Sequence, residues 1–222
     1  MNSFRRTRLF DIFAASPLIA LYCFAFAGFI LQSREPLRRL LEAPNAYAEL
    51  LIASQFMPIA FLVLQIVLFL IRRLPLTWSP DWLSRATARA GANANLLFLL
   101  LKHVELSIPV QEISAAMIAV SASTSIIVAC WLGRAFSILP QARQLVTSGP
   151  YRYIRHPLYL AEQFGTIGVM LQFQQPFALL IALMSIALQF PRMRYEERVL
   201  AQTYPAYTAY MAQTARLIPG LY

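Results

Sequence analysis

A chain of 222 residues with 59% hydrophobic and 13% charged content and a mean hydropathy of +0.56 is too apolar for an ordinary soluble domain of its length, and residues 1–222 read as a single integral membrane domain. The net charge of +9 is almost entirely arginine, because Lys102 is the sole lysine. The arginines lie between apolar runs, which favours anionic headgroups as neighbours and excludes a nucleic-acid reader with a basic face on a soluble fold.

A crossing helix needs about 20 apolar residues, and windows of that length run from Phe10 to Leu31, Ala48 to Ile71 and Val110 to Leu132. Arg5, Arg6 and Arg8 ahead of a run that reaches Ala25-Phe26-Ala27 also fit a signal peptide. Because the run continues to Leu31, an uncleaved first helix is expected. The stretch Asn95 to Ile108 is a shorter expected span that carries Lys102, His103 and Glu105. Tyr159 to Phe173 and Phe177 to Phe190, split by glutamines and Pro176, predict a tight helical hairpin. The result is an all-α polytopic bundle of about six transmembrane helices, or five, followed by a C-terminal cytoplasmic helix. With six spans and the N-terminus inside, only Arg34, Arg38 and Arg39 fall outside, which satisfies the positive-inside pattern. Compactness and arginine-rich loops point to a bacterial inner membrane with both termini cytoplasmic.

Cys23 and Cys130 sit inside apolar runs, where a thiol behaves as a small hydrophobe, so no disulfide framework is expected. His103 and His156 have no cysteine partner nearby, and no metal is expected. Lys102 and Glu105 are spaced to pair locally on a helix, with His103 facing a cavity as the sharper alternative. Pro157 pushes His156 out of helical geometry and starts a helix whose free N–H groups suit an anion. Tyr151, Arg152, Tyr153 and Arg155 alone would read as an interfacial belt, and Glu196 and Glu197 alone as a solvated face with Arg192, Arg194 and Arg198. Their joint occurrence on one side of the membrane makes the two clusters a candidate active site.

The segment Arg155-His156-Pro157-Leu158-Tyr159, then Gly165 and Gly168, Glu196-Glu197-Arg198-Val199-Leu200, Tyr207, Tyr210 and Arg216 to Gly220 resembles the isoprenylcysteine carboxyl methyltransferase family and its bacterial relatives, including phospholipid methyltransferases. Leu132-Gly133-Arg134, Phe136-Ser137, Leu145-Val146-Thr147 and Gly149-Pro150-Tyr151 agree with it in order, so the resemblance covers about Trp131 to Tyr222. The chain departs from the pattern at Ala161, where glycine is expected and Glu162 follows, and at Pro205.

The resemblance implies residues 1–130 as N-terminal spans and 131–222 as an S-adenosylmethionine-binding methyltransferase core. It implies Arg155, His156 and Glu197 as catalytic, and Tyr151, Arg155, His156, Pro157, Tyr159, Glu196 and Glu197 as cofactor-binding, with Arg152 nearby. In that arrangement the arginine-histidine corner takes the cofactor carboxylate and the two glutamates take its cationic groups. The acceptor is expected to be a lipophilic small molecule or lipid bearing a carboxylate, thiol or amine. Two rivals are an NADPH-dependent sterol or enone reductase, which typically has asparagine where this chain has Leu158, and a small transporter or scaffold, which would show paired interrupted helices.

Overall fold

The computed structural model describes residues 16, 19–24, 26–28, 30, 34–42 and 45–220. Arg5, Arg6, Arg8 and much of the first expected span, and with them the choice between signal peptide and uncleaved helix, lie outside the described residues.

Apolar runs become helices where caps and prolines permit. The helix α1 (Arg34–Glu42) is short and polar, and α2 (Ala46–Ile71) follows it. The Asn45 side chain caps α2 by accepting from the Ala48 N–H at 2.8 Å. A two-residue strand β1 (Thr77–Trp78) leads to α3 (Trp82–Asn93), capped by Asp81, which runs on as a 3-10 helix over Ala94–Leu100. Next come α4 (Ile108–Leu132), with proline in its first turn, and β2 (Gln141–Ala142), antiparallel to β1. The chain closes with α5 (Pro157–Met170), α6 (Phe177–Thr203) and α7 (Ala206–Gln213).

Among the described residues, α2, α4 with the turn that follows it, and α6 are long and apolar enough to cross a membrane. Their outward faces keep large aliphatic side chains exposed, among them Val63, Val67, Ile113, Val120, Ile127, Leu180 and Leu183. Their inward faces bury small polar groups. Ser121 Oγ donates to the Ala161 carbonyl at 2.7 Å, and Ser114 Oγ to that of Gly168 at 2.8 Å. Apolar outside and hydrogen-bonded inside is the arrangement lipid imposes, and the chain is an all-α membrane bundle.

The stretch Asn95 to Ile108 does not form a span of its own. The helix there starts earlier, at Trp82, and gives way after Leu100 to extended chain, with His103 bridged to Phe173. Lys102 and Glu105 are therefore not helical neighbours, and no ion pair joins them among the described residues. The last helix also exceeds its apolar run, because α6 passes through Pro191 and thirteen residues beyond Phe190 without a break. Arg, Met, Glu, Leu and Ala favour helix, and Arg192, Glu196 and Glu197 are directed into the bundle while Arg194 and Arg198 stay exposed.

Helix α4 lies between α2 and α5, and α6 packs on α5 and α3. The Arg73 N–H donates to the Arg134 carbonyl at 2.8 Å, β1 pairs with β2, and the Thr77 and Thr203 hydroxyls meet, so the C-terminal ends of α2, α4 and α6 share one end of the bundle. At the other end the Val104 N–H donates to the Gln172 carbonyl and the Gln174 N–H to that of Lys102, both at 3.0 Å. The helices therefore alternate in direction, and the arginine-rich segments around 72, 134, 155 and 194 come to the same end.

Candidate functional site

Site geometry begins with two backbone constraints. Gly149 adopts φ +60°, and a Cβ there would lie 2.1 Å from the Trp131 ring, so the turn into Tyr151 requires glycine. Four residues after Tyr153, Pro157 opens α5 and leaves His156 at φ −127°, ψ 56°. The C-terminal segment then crosses this corner. The Arg155 N–H donates to the Ala215 carbonyl at 2.9 Å and the His156 N–H to the Arg216 carbonyl at 3.1 Å.

Glu197, 5% exposed, is the hub of the resulting cluster. Its carboxylate accepts from Arg155 Nε at 2.8 Å, His156 Nε2 at 3.1 Å, and Arg216 through Nε at 3.0 Å and Nη2 at 2.7 Å. Arg155 Nη1 also donates to the carbonyls of Met211, at 2.9 Å, and Thr214. A forked guanidinium suits such multiple acceptors. The cluster ties the start of α5 to α6 and to the chain end.

Glu196 points elsewhere. It accepts from the Tyr159 hydroxyl and lies 3.6 Å from Arg192 Nε, one turn back on α6. Arg192 is 4% exposed, stacks its guanidinium 4.4 Å from the centre of the Tyr159 ring, and leaves Nε without a hydrogen-bond partner among the described residues. The His156 and Tyr159 rings stack at 5.2 Å with 6° between their planes.

These residues wall an open hollow of about 150 Å3. Tyr151, Arg155, His156, Tyr159, Glu196 and Arg192 line it, as do Glu162, Tyr207 and Tyr210. Burial pushes the Tyr151 and Tyr207 phenols well above the ordinary tyrosine range. Tyr210 is raised to about 12 by burial, opposed by Arg155 and reinforced by Glu197. It stays protonated and donates to the Tyr151 carbonyl at 2.5 Å.

The structure thus brings together Tyr151, Arg155, His156, Tyr159, Glu196 and Glu197, but divides them into two layers. Glu197 does not line the hollow; it pairs with Arg155 and meets His156 from behind, so the two glutamates do not act as a pair facing a ligand. Pro157 is buried at the helix start rather than in the wall, and Arg152 is exposed. The pairing of Glu196 with Arg192 alone describes part of the geometry, though Arg192 is buried and Glu196 half-buried rather than solvated. In the sequence Arg192 stood out only as a member of the second cluster, and Glu162 and Arg216 had no site role. The four-residue spacing of Arg192 and Glu196 and the isolated charge of Glu162 in an apolar run were available signals; for Arg216 there was none of that kind.

Fold and site define a helical membrane protein with a charged, aromatic hollow at one end of the bundle. Within this frame, residues 112–207 match the phospholipid methyltransferase family model, which belongs to the isoprenylcysteine carboxyl methyltransferase-like group. Among characterised proteins, a cobalt-zinc-cadmium resistance protein, CzcN, of Cupriavidus metallidurans is 35% identical over 78 residues, 35% of this chain and 36% of that protein. A nickel-cobalt-cadmium resistance protein, NccN, of Alcaligenes xylosoxydans xylosoxydans is 30% identical over 82 residues, 36% of this chain and 38% of that protein. The chain thus aligns with little more than a third of the length of these relatives. Among the described residues no group of three or more His, Cys, Asp or Glu is placed to hold a metal ion.

Proposed function

We propose that this chain is an S-adenosylmethionine-dependent methyltransferase that acts on a lipophilic acceptor entering from the bilayer at the cytoplasmic face, with residues 131–222 as its core. The observation that carries this reading is the hollow walled by Glu196, Arg192, His156, Tyr151, Tyr159 and Tyr207, all within the segment that matches a membrane methyltransferase family. The donor set fits the cofactor's chemistry. Glu196 offers a carboxylate to its cationic groups, Tyr151 and Tyr207 offer aromatic surface to the sulfonium, and Arg192, whose Nε makes no hydrogen bond among the described residues, offers a donor to its carboxylate.

When bound, the cofactor supplies an activated methyl group. The protein's own residues hold and align the reactants and keep water out, and alignment supplies most of the rate for such a displacement. Arg155, His156 and Glu197 act as the frame that fixes the start of α5 and with it Tyr159. The resistance functions named for the relatives would follow from methylation of a membrane component, not from metal ligation in this site.

Thermal unfolding of the detergent-purified chain tests the cofactor. S-adenosylmethionine or S-adenosylhomocysteine at 100 times its Kd should stabilise the protein by about 2.7 kcal/mol. Stabilisation by NADPH and not by either methionine derivative would overturn the proposal in favour of a reductase.

A further inference from the structure

One charged group of the hollow has no task in the scheme above. Glu162 lies three residues after Tyr159 on α5, hence on the same helix face, and about 7.5 Å deeper along the axis than Pro157. Its backbone carbonyl accepts from the Thr166 hydroxyl at 3.0 Å, and Asn95 Nδ2 in turn donates to that hydroxyl at 2.8 Å, which fixes this turn of α5 against the helix after α3. The side chain lines the hollow, and among the described residues no hydrogen bond or ion pair closes on its carboxylate. A carboxylate at that depth, the one charged side chain of its helix, is costly and needs a function.

Charge in the walls narrows what that function is. Arg155 and His156 are already matched by Glu197 behind them. Glu162 and Glu196 then face the hollow against Arg192 alone. Glu196 is engaged by Tyr159 and Arg192 and, in the scheme above, by the cofactor, which leaves Glu162 as the acceptor without a hydrogen bond among the described residues, in a hollow that Leu132, Ile138 and Leu158 also line. An acceptor carboxylate would add a third anion to this space, and like charges brought together in a desolvated site cost several kcal/mol.

Resting on the methyltransferase reading, we propose that Glu162 is a catalytic residue that binds the acceptor's head, and that the acceptor is a lipophilic protic nucleophile, an X–H group such as an amine, thiol or hydroxyl, and not a carboxylic acid. The X–H bond breaks with its electron pair left on X, and the proton passes to a Glu162 carboxylate oxygen. The pair on X closes the new bond to the methyl carbon as the C–S pair returns to sulfur. Protons and electrons balance without a further reactant.

Octylamine and octanoate, which share a tail and differ in their heads, test the assignment by calorimetric titration into the detergent-purified full chain without cofactor. Octylammonium should bind at least about tenfold tighter than octanoate, and Glu162→Gln should abolish that preference. The same variant should bind S-adenosylhomocysteine as the parent does, and should lose about 100-fold in kcat for methyl transfer to octanethiol or octylamine. Glu162→Asp, which keeps a carboxylate, should restore part of both. Equal binding of octanoate and octylammonium by the parent, or an unaltered preference and kcat in Glu162→Gln, would overturn the proposal. Loss of all S-adenosylhomocysteine binding in the parent, with the head preference intact, would remove the methyltransferase reading and leave Glu162 as a head-group ligand.

Discussion

Two adjacent glutamates one residue apart in sequence are given opposite tasks by their directions on α6. Glu197 is matched by two guanidiniums and the His156 imidazole, whereas Glu196 meets one phenol and one arginine at the cavity wall. Glu197→Gln should therefore destabilise the fold by about 3–5 kcal/mol, because the buried charge that joins Arg155, His156 and Arg216 is lost. Glu196→Gln should leave the unfolding temperature nearly unchanged and weaken S-adenosylhomocysteine binding about tenfold, through loss of a charge-assisted contact. Thermal unfolding and calorimetric titration of both variants separate the roles; identical behaviour would show that the two-layer division is wrong. Tyr210 adds a pH signature. Its folded pKa, about 12, lies above the ordinary value of 10.0, so its contribution to stability is complete below pH 10 and is lost as pH rises towards 12. Tyr210→Phe should cost about 1 kcal/mol at neutral pH and flatten that alkaline loss.

At the scale of elements, the site depends on how closely α4 and α5 approach. A Cβ on Gly165 would fall 2.3 Å from Ser121 Oγ, and one on Gly168 would fall 2.9 Å from Met117 Cβ. Ser121 cannot simply turn away, since it holds the Ala161 carbonyl. Gly165→Val should destabilise by about 1–3 kcal/mol or more through overpacking, and should lower cofactor affinity as well, because α5 carries His156, Tyr159 and Glu162. Denaturation of the variant with and without S-adenosylhomocysteine measures both effects. Much of this was legible beforehand. Long apolar runs gave α2 and α4, and Pro157 gave the start of α5 with His156 just outside it. The limits of α6 were not legible, because a hydropathy window stops at Phe190 while the helix continues on the strength of buried polar contacts that no local pattern encodes. The span expected at Asn95 to Ile108 failed for the related reason that its helix begins in the polar residues after Asp81.

On the scale of the whole molecule, alternating helix direction gathers most arginines at the end that carries the hollow, while Lys102, His103 and Glu105 lie at the other. That separation was readable from arginine placement alone, since α2, α4 and α6 all end where the basic segments begin. What the sequence did not reveal was the closure of the site by the chain end. Arg216 reaches back to Glu197 and the segment before it pairs with Ile154 to His156, a contact between residues about sixty apart that only folding brings together. The hollow should therefore depend on residues beyond α7. Removal of residues 214–222 should leave α2, α4 and α6 inserted, because their outward apolar faces and Ser-mediated contacts do not involve that segment. It should nevertheless abolish S-adenosylhomocysteine binding, as Arg155 loses the Thr214 carbonyl and Glu197 loses Arg216. Alkaline extraction of membranes reports insertion and titration reports binding. Retained binding by the truncated chain would show that α5 and α6 hold the corner unaided, and that the Glu197 cluster is not the frame described here.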